Sequence, residues 1–321
     1  MFRYPVTAIT FVALSLLVFS CSNESKEIRS DNTEIARLLI DDAKARIIFP
    51  TPAIDTTNRS LIYAKRTGVA DYINPLDYYV EFISQARGFI ITDSCAADTL
   101  VTGDPCESVP LETGERAKAK VVRIHDTLQC RYHIIQRSDS TVVVSKDVRL
   151  IGVSWVLMAQ LGISEAHYNG WSIYGVGRQR LAENYAGQVP VVDSIIIRPY
   201  SGDFVYYPSA KVDYIPLKLL PTVGKSETFT VYVYTSPRTG GGELFRDVYF
   251  HQYRYSEGTF IHEWGAVSST GRFNFEVTEN SGHSSGSYSQ VVVELFTFGS
   301  LHDDTETLFG TYLFAITYKI K

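Results

Sequence analysis

The sequence predicts an α+β domain, with helices packed on a curved antiparallel sheet, followed by an all-β sandwich. Apolar residues recur at helical spacing in two stretches near the N-terminus, and later stretches alternate apolar and polar residues. The chain also has 21 tyrosines and 17 phenylalanines but only two methionines, a composition typical of strands. We expect the first domain to span residues 33–200 and the sandwich residues 211–321.

The first 20 residues are predicted to form a signal peptide. Arg3 supplies a positive charge, and the run from Val6 to Phe19 is mostly apolar. That run is shorter than the ~20 apolar residues that a membrane-spanning helix needs. Residues 21–32 are polar and are expected to form a tether.

The end of this run, Val18-Phe19-Ser20-Cys21, resembles the lipobox of bacterial lipoproteins. The resemblance implies cleavage before Cys21 and acylation of that residue. The protein would then be held by a lipid anchor in the bacterial cell envelope, at the outer membrane, on its periplasmic or its surface side. An ordinary secretory signal, cut near Ser20, is the alternative.

Composition excludes some classes of partner. Charged residues make up 20% of the chain and hydrophobic residues 45%, as in globular proteins. The formal net charge of −5 argues against a nucleic-acid partner, which needs clustered Lys and Arg.

Three cysteines remain after Cys21, an odd number for an exported chain. Cys95 and Cys106 flank a turn-rich segment and are the candidates for a disulfide. Cys130 lies in an alternating run and is expected to be a buried thiol. The alternative, in which all three are unpaired, stays open because sequence alone does not determine connectivity.

Two helices are predicted. The first spans Thr33 to Phe49, with Asn32 as its N-cap. The second is capped by Asn74, carries an apolar stripe through Leu76, Tyr79, Val80 and Ile83, and stops at Gly88.

Strands are predicted after the second helix. Asp126-Thr127 is expected to separate two of them, and Tyr168-Asn169-Gly170 to form the turn before the strand that begins at Trp171. The polar stretch from Gln179 to Gln188 is expected to end that strand. The predicted strands are 89–92, 118–125, 128–136, 141–158, 171–176, 191–198, 227–234, 272–278, 287–298 and 309–320.

Two family resemblances follow from this order. Helices, then long strands, then Asn169-Gly170-Trp171-Ser172-Ile173-Tyr174 resemble nuclear-transport-factor-2-like (NTF2-like, cystatin-like) domains. That family includes both enzymes and binding cones, so the resemblance implies a fold without a function. The short strands after Lys211 resemble immunoglobulin-like repeats of bacterial surface proteins.

A hairpin turning at Glu257-Gly258 is the most informative candidate site. A two-residue turn would pair Tyr255 with Phe260, Tyr253 with His262 and His251 with Trp264. All six residues would lie on one side of the ribbon. This aromatic side is expected either to form half of the sandwich core or to be an exposed surface for a glycan or protein partner.

No motif for catalysis, a cofactor or a metal stands at the spacing that its chemistry requires. The sequence therefore predicts a non-enzymatic binding module. The alternative is an envelope enzyme with a pocket in the first domain.

The lipid anchor is directly testable. Mass spectrometry of membrane-extracted protein should find an acylated N-terminal peptide that begins at Cys21, and Cys21→Ser should release the protein from membranes. A wild-type chain that carries an unmodified Cys21 would contradict the prediction.

Overall fold

The computed structural model describes residues 30–49, 76–92, 108–111, 113–136, 141–163, 166–183, 191–206, 214–236, 247–253, 260–266, 272–279, 284–296 and 311–321. These residues form mostly antiparallel β-sheet with few helices. The helices are α1 (Asp31–Asp41) and α2 (Ala43–Ile48). The strands are β1 (Leu76–Thr92), β2 (Ser108–Pro110), β3 (Arg116–Gln136), β4 (Val142–Gln160), β5 (Trp171–Glu183), β6 (Val191–Arg198), β7 (Phe204–Tyr206), β8 (Ile215–Pro216), β9 (Thr222–Val223), β10 (Thr228–Ser236), β11 (Asp247–Tyr253), β12 (Phe260–Ala266), β13 (Arg272–Thr278), β14 (Tyr288–Phe296) and β15 (Thr311–Ile320).

Two sheets contain most of these strands. The larger has the order β1-β3-β4-β5-β15-β14-β11-β12, and the smaller has the order β13-β10-β6-β7. In the larger sheet β5 pairs with β15, and in the smaller sheet β6 pairs with β10. Each sheet therefore takes strands from both sides of the boundary that the sequence predicted near residues 200 to 211.

The larger sheet has two distinct faces. Residues that are paired directly across neighbouring strands lie on the same face of the sheet. One such row crosses the whole sheet from β1 to β12: Arg87, Asp126, Gly152, Leu181, Leu313, Glu294, Tyr249 and Trp264. The neighbouring row on the other side is Gly88, His125, Val153, Arg180, Phe314, Val293, Phe250 and Glu263. We call the face of the first row the helix-bearing face and the face of the second row the far face.

The helices pack on the helix-bearing face. Ile35, Leu39 and Ile48 are buried in one cluster with Val122 and Ile124 of β3. The same cluster includes strand residues Val156, Met158, Trp171, Ile173 and Val176.

The smaller sheet packs on the far face, over β14 and β15. Phe229, Val231 and Val233 of β10 share a core with Val293 and Phe314. The alternation predicted for β10 is confirmed, because these three residues are at most 2% exposed. Two sheets that bury facing side chains in this way form a layered core.

The second predicted helix is wrong. The segment from Leu76 onward is β1, which pairs along its length with β3. A β-bulge between Phe82 and Ser84 shifts the alternation by one residue. The Tyr, Val and Ile residues of the segment favour a strand, and pairing with β3 decides the outcome.

The first predicted helix is divided in two. Asp42 has an extended backbone (φ −71°, ψ 129°) between α1 and α2, and its carboxylate accepts from the backbone N–H of Ala45. Asp42 therefore caps the start of α2. The N-cap of α1 is Ser30 rather than Asn32, since the Ser30 hydroxyl accepts from the N–H of Thr33.

Asp126-Thr127 does not separate two strands, because β3 continues through both residues. The Asp126 side chain, 3% exposed, accepts two hydrogen bonds from Arg87 of β1, at 2.7 and 3.0 Å. Arg87 also donates to the carbonyl of Phe49, 3.1 Å away, at the end of α2. A paired carboxylate can thus occupy a buried position inside a strand. Similarly β5 extends to Glu183, into the predicted polar connection.

The turn predicted before β5 is confirmed. Tyr168, Asn169 and Gly170 all have positive φ, and Trp171 begins the strand. Gly170 is required here because a Cβ on it would lie 2.3 Å from the carbonyl oxygen of Gly162. Trp171 is 2% exposed and packs in the cluster under the helices.

Removing one partner of the buried ion pair should destabilise the fold strongly. Asp126→Asn leaves the Arg87 guanidinium without its carboxylate and should lower the free energy of unfolding by about 3–5 kcal/mol in urea titrations. The double variant Arg87→Met/Asp126→Leu should recover most of this loss. Asp147→Asn is the matched control. It breaks the exposed pair between Asp147 of β4 and Arg131 of β3, the strand that contains Asp126, and should change stability little. Equal effects of the two asparagine variants would contradict the prediction.

Candidate functional site

The far face is open at its β1-β3-β4 end. Even-numbered residues of β3 from Val122 to Ile134 are buried, whereas odd-numbered residues from Arg123 to His133 are partly exposed. On β1, Ile83 and Ile90 are 51% and 50% exposed. This end of the sheet therefore presents a mixed polar and apolar surface to solvent.

Three side chains on this surface form a hydrogen-bonded line across β1, β3 and β4. His133 Nδ1 lies 2.8 Å from Ser145 Oγ, and His133 Nε2 lies 3.1 Å from Glu81 Oε2. The tautomer that satisfies both contacts carries its proton on Nε2, donates it to Glu81 and accepts from the Ser145 hydroxyl. The line thus has the connectivity of a nucleophile, a base and a group that orients the base.

The surroundings of this line are less suited to catalysis. Acyl transfer needs hydrogen-bond donors where the oxyanion develops. Arg131, two residues from His133 along β3, donates to Asp147 at 2.7 Å. That hydrogen bond, more than the accompanying charge, lowers the pKa of Asp147, so the guanidinium is held by its own carboxylate partner.

A second cluster lies near the other end of β3. Arg123 Nε donates to His125 Nε2 at 2.5 Å, and the Arg123 guanidinium lies 5.4 Å from the centre of the Trp155 ring. Burial is the main cause that lowers the pKa of His125; Arg123 lowers it further and Asp126 opposes the shift. The imidazole is therefore neutral at pH 7 and acts as an acceptor.

Glycines on β5 allow close packing around Trp155. A Cβ on Gly177 would lie 2.8 Å from the Cβ of Trp155, and one on Gly175 would lie 3.1 Å from the carbonyl oxygen of Ile215. Gly175-Val176-Gly177 therefore lets β4, β5 and β8 approach each other closely.

The predicted hairpin exists as β11 and β12, but its predicted register is wrong by two residues. Tyr253 pairs with Phe260 and His251 with His262, while Trp264 pairs with Tyr249. A shift of two residues preserves the faces. His251, Tyr253, Phe260, His262 and Trp264 consequently share one side of the ribbon by register.

That side belongs to the helix-bearing face. Tyr253 is paired with Gln290 and His251 with Val292, whereas the core between the sheets contains Val291 and Val293. The aromatic positions thus lie on the face opposite to that core. By register, these aromatic positions therefore do not belong to the core between the two sheets, where a sandwich would bury them.

Several predicted positions lie outside the described residues. These are the signal segment with Cys21, the disulfide candidates Cys95 and Cys106, and Tyr255 with the Glu257-Gly258 turn. Cys130 is described and is buried in β3, with 1% exposure, as its alternating context predicted.

The far-face polar residues were missed at the sequence level, although their signal is present. Arg123, His125, Arg131 and His133 alternate with buried residues along a single strand. The predicted strand boundary at Asp126 assigned these four residues to two strands, so the sequence did not indicate that they share one face. The cross-strand partners Glu81 and Ser145 depend on register, which the sequence does not display.

The chain matches no known family model, no curated protein and no solved structure. In the part of the chain that the structure describes, no three His, Cys, Asp or Glu side chains are grouped as metal ligands would be. Nor does any helix there have the length and hydrophobicity to cross a membrane.

The lowered pKa of His125 predicts a specific pH dependence. Since the folded pKa lies below the unfolded value of about 6.5, the unfolded chain takes up this proton first. The stability contributed by neutral His125 is complete above pH 6.5 and declines as the pH falls through 6.5 towards the folded pKa. His125→Gln should therefore lose less thermal stability than the wild type between pH 7 and pH 5. His133→Gln serves as the control substitution on the same face, and equal pH slopes for wild type and His125→Gln would contradict the prediction.

Proposed function

We propose that the protein is a lipid-anchored lipoprotein of the bacterial envelope that acts as a non-enzymatic binding module. In this proposal Cys21 holds the chain on the membrane. The aromatic side of the β11-β12 hairpin contacts a protein or a glycan.

One observation carries the proposal. By register, His251, Tyr253, Phe260, His262 and Trp264 lie on the helix-bearing face, away from the core between the two sheets. Tyr and Trp combine large apolar area with a polar group, and they are the residues enriched where proteins bind partners. Glycan rings stack on the same kind of surface.

The position of the hairpin also favours binding. Along the described sheet order, β12 is the terminal strand of the larger sheet. A partner would approach this end beside α2, which reaches as far as Gln290 of β14, the strand next to β11. Binding sites on a rigid sheet need little ordering when a partner arrives.

We extend the proposal to the two family resemblances. Helices packed on the β3-β4-β5 part support an NTF2-like arrangement, and two sheets packed face to face support an immunoglobulin-like one. Because β5 pairs with β15, the two arrangements would share one continuous sheet.

Trp264 tests the binding face. The chain has three tryptophans, so a Trp155→Phe/Trp171→Phe variant isolates the fluorescence of Trp264. An exposed binding face predicts red-shifted emission that acrylamide quenches readily. Trp264→Ala should then abolish binding to immobilised envelope polysaccharide or a purified envelope protein while leaving the urea midpoint nearly unchanged.

Trp171→Ala is the matched control, since Trp171 is 2% exposed and its loss should cost about 3–5 kcal/mol. Blue-shifted, protected emission of Trp264, together with a similar loss of stability in Trp264→Ala, would overturn the proposal.

The alternative function, an envelope enzyme, is favoured by the Ser145-His133-Glu81 line. In such an enzyme Ser145 Oγ would attack an ester carbonyl and His133 would take the hydroxyl proton and pass it to the leaving alkoxide. Water would then hydrolyse the acyl group from the serine.

A fluorophosphonate probe separates the two functions. An enzyme should show labelling of Ser145 that is lost in Ser145→Ala and His133→Gln but kept in Ser194→Ala. A binding module should show no labelling above that of the heat-denatured chain, and this is the result we expect.

A further inference from the structure

We propose that the β11-β12 hairpin contains a binding site for a divalent transition-metal ion, with His251 and His262 as its two protein ligands. The ion is Zn²⁺ or Cu²⁺, for which imidazole is a common ligand. The site lies on the side of the hairpin to which the proposed function assigns a protein or glycan. Metal binding needs no such partner and is tested without one.

The structure places the two histidines directly opposite each other. In the register of β11 and β12, His251 is paired with His262, and the pairing continues without a bulge along the whole of β11. Directly opposed residues of antiparallel strands share a face, with Cβ atoms about 4.5–5.5 Å apart. The sequence alone did not predict this juxtaposition, since a two-residue turn would set His251 opposite Trp264.

The spacing of directly opposed positions suits a single metal ion. A histidine nitrogen ligates Zn²⁺ at about 2.0–2.1 Å, and tetrahedral geometry then sets two ligand nitrogens roughly 3.3 Å apart. Two imidazoles that start from Cβ atoms about 5 Å apart can supply nitrogens at that separation. The register thus brings together the two ligands of a chelate.

The sheet holds the strands that carry these ligands. β11 lies between β12 and β14, and His251 is paired with Val292 on its other side. Val292 is buried, and β14 is in turn paired along its length with β15. Ligands on a strand supported in this way need little ordering when a metal binds.

The neighbouring positions favour a metal over an anion as the ligand. On the same side of the ribbon, the next pair in each direction is aromatic: Tyr249 with Trp264 and Tyr253 with Phe260. Two protonated imidazoles directly opposite each other would repel, and apolar neighbours disfavour their charge further. The neutral imidazole is the form that ligates a metal.

Two protein ligands leave the other coordination positions of the ion open to water. A pair is compatible with the finding that no group of three His, Cys, Asp or Glu side chains occurs in the described part of the chain. An ion with open positions could also take a hydroxyl or carboxylate oxygen from a partner.

The test uses the full chain, purified without a histidine tag. Zn²⁺ and Cu²⁺ are titrated separately by calorimetry in a buffer that does not bind metals. Saturable binding of one ion per chain supports the site, and the electron paramagnetic resonance of bound Cu²⁺ should show coupling to two imidazole nitrogens. His251→Gln and His262→Gln should each weaken binding by about 100-fold, the order of the gain from holding a second ligand beside the first.

His167→Gln is the matched control. It removes an exposed histidine from the segment before β5 and should bind metal as the wild type does. His262→Cys keeps a side chain that ligates Zn²⁺ and should restore most of the Zn²⁺ affinity that His262→Gln loses. This rescue separates a lost ligand from a misfolded hairpin.

No saturable binding of either ion by the wild type overturns the proposal. It is also overturned if His251→Gln binds as tightly as His167→Gln, or if the Cu²⁺ spectrum shows coupling to a single nitrogen. A chain that binds metal but no polysaccharide or envelope protein would contradict only the function proposed above.

Discussion

The docking of α2 onto the larger sheet is the constraint on which the rest of the structure depends. The last carbonyls of a helix lack partners inside it. Here the carbonyl of Ile48 accepts from Gln179 of β5 at 3.1 Å and from Gln290 of β14 at 2.5 Å. The carbonyl of Phe49 accepts from Arg87 of β1. One helix end therefore connects three strands that are far apart in the chain.

This docking explains why polar residues can occupy the helix-bearing face. Gln179 and Gln290 are both buried and also contact Thr317 of β15, at 3.3 and 3.2 Å. Because the amide N–H groups of these two side chains have partners, the side chains orient the helix as well as cover the sheet. Arg87, paired with Asp126, does the same at this helix end through the carbonyl of Phe49.

The two faces of the larger sheet carry different candidate sites. The helix-bearing face has its middle covered by α1 and α2 and ends in the aromatic positions of β11 and β12. The far face is covered by the smaller sheet over β14 and β15 and is open at His125 and His133. A partner on the hairpin would therefore contact the side of the sheet opposite to the one on which His125 and His133 lie.

The sequence by itself determined the strands whose alternation is unbroken, such as β10 and β13, since a period of two has one reading. It also determined the turn before Trp171, where the backbone needs glycine. Only the tertiary structure decided that Leu76–Thr92 is a strand and that β5 pairs with β15. A bulge, a buried ion pair and strand register all depend on partners remote in sequence, and local sequence patterns do not identify those partners.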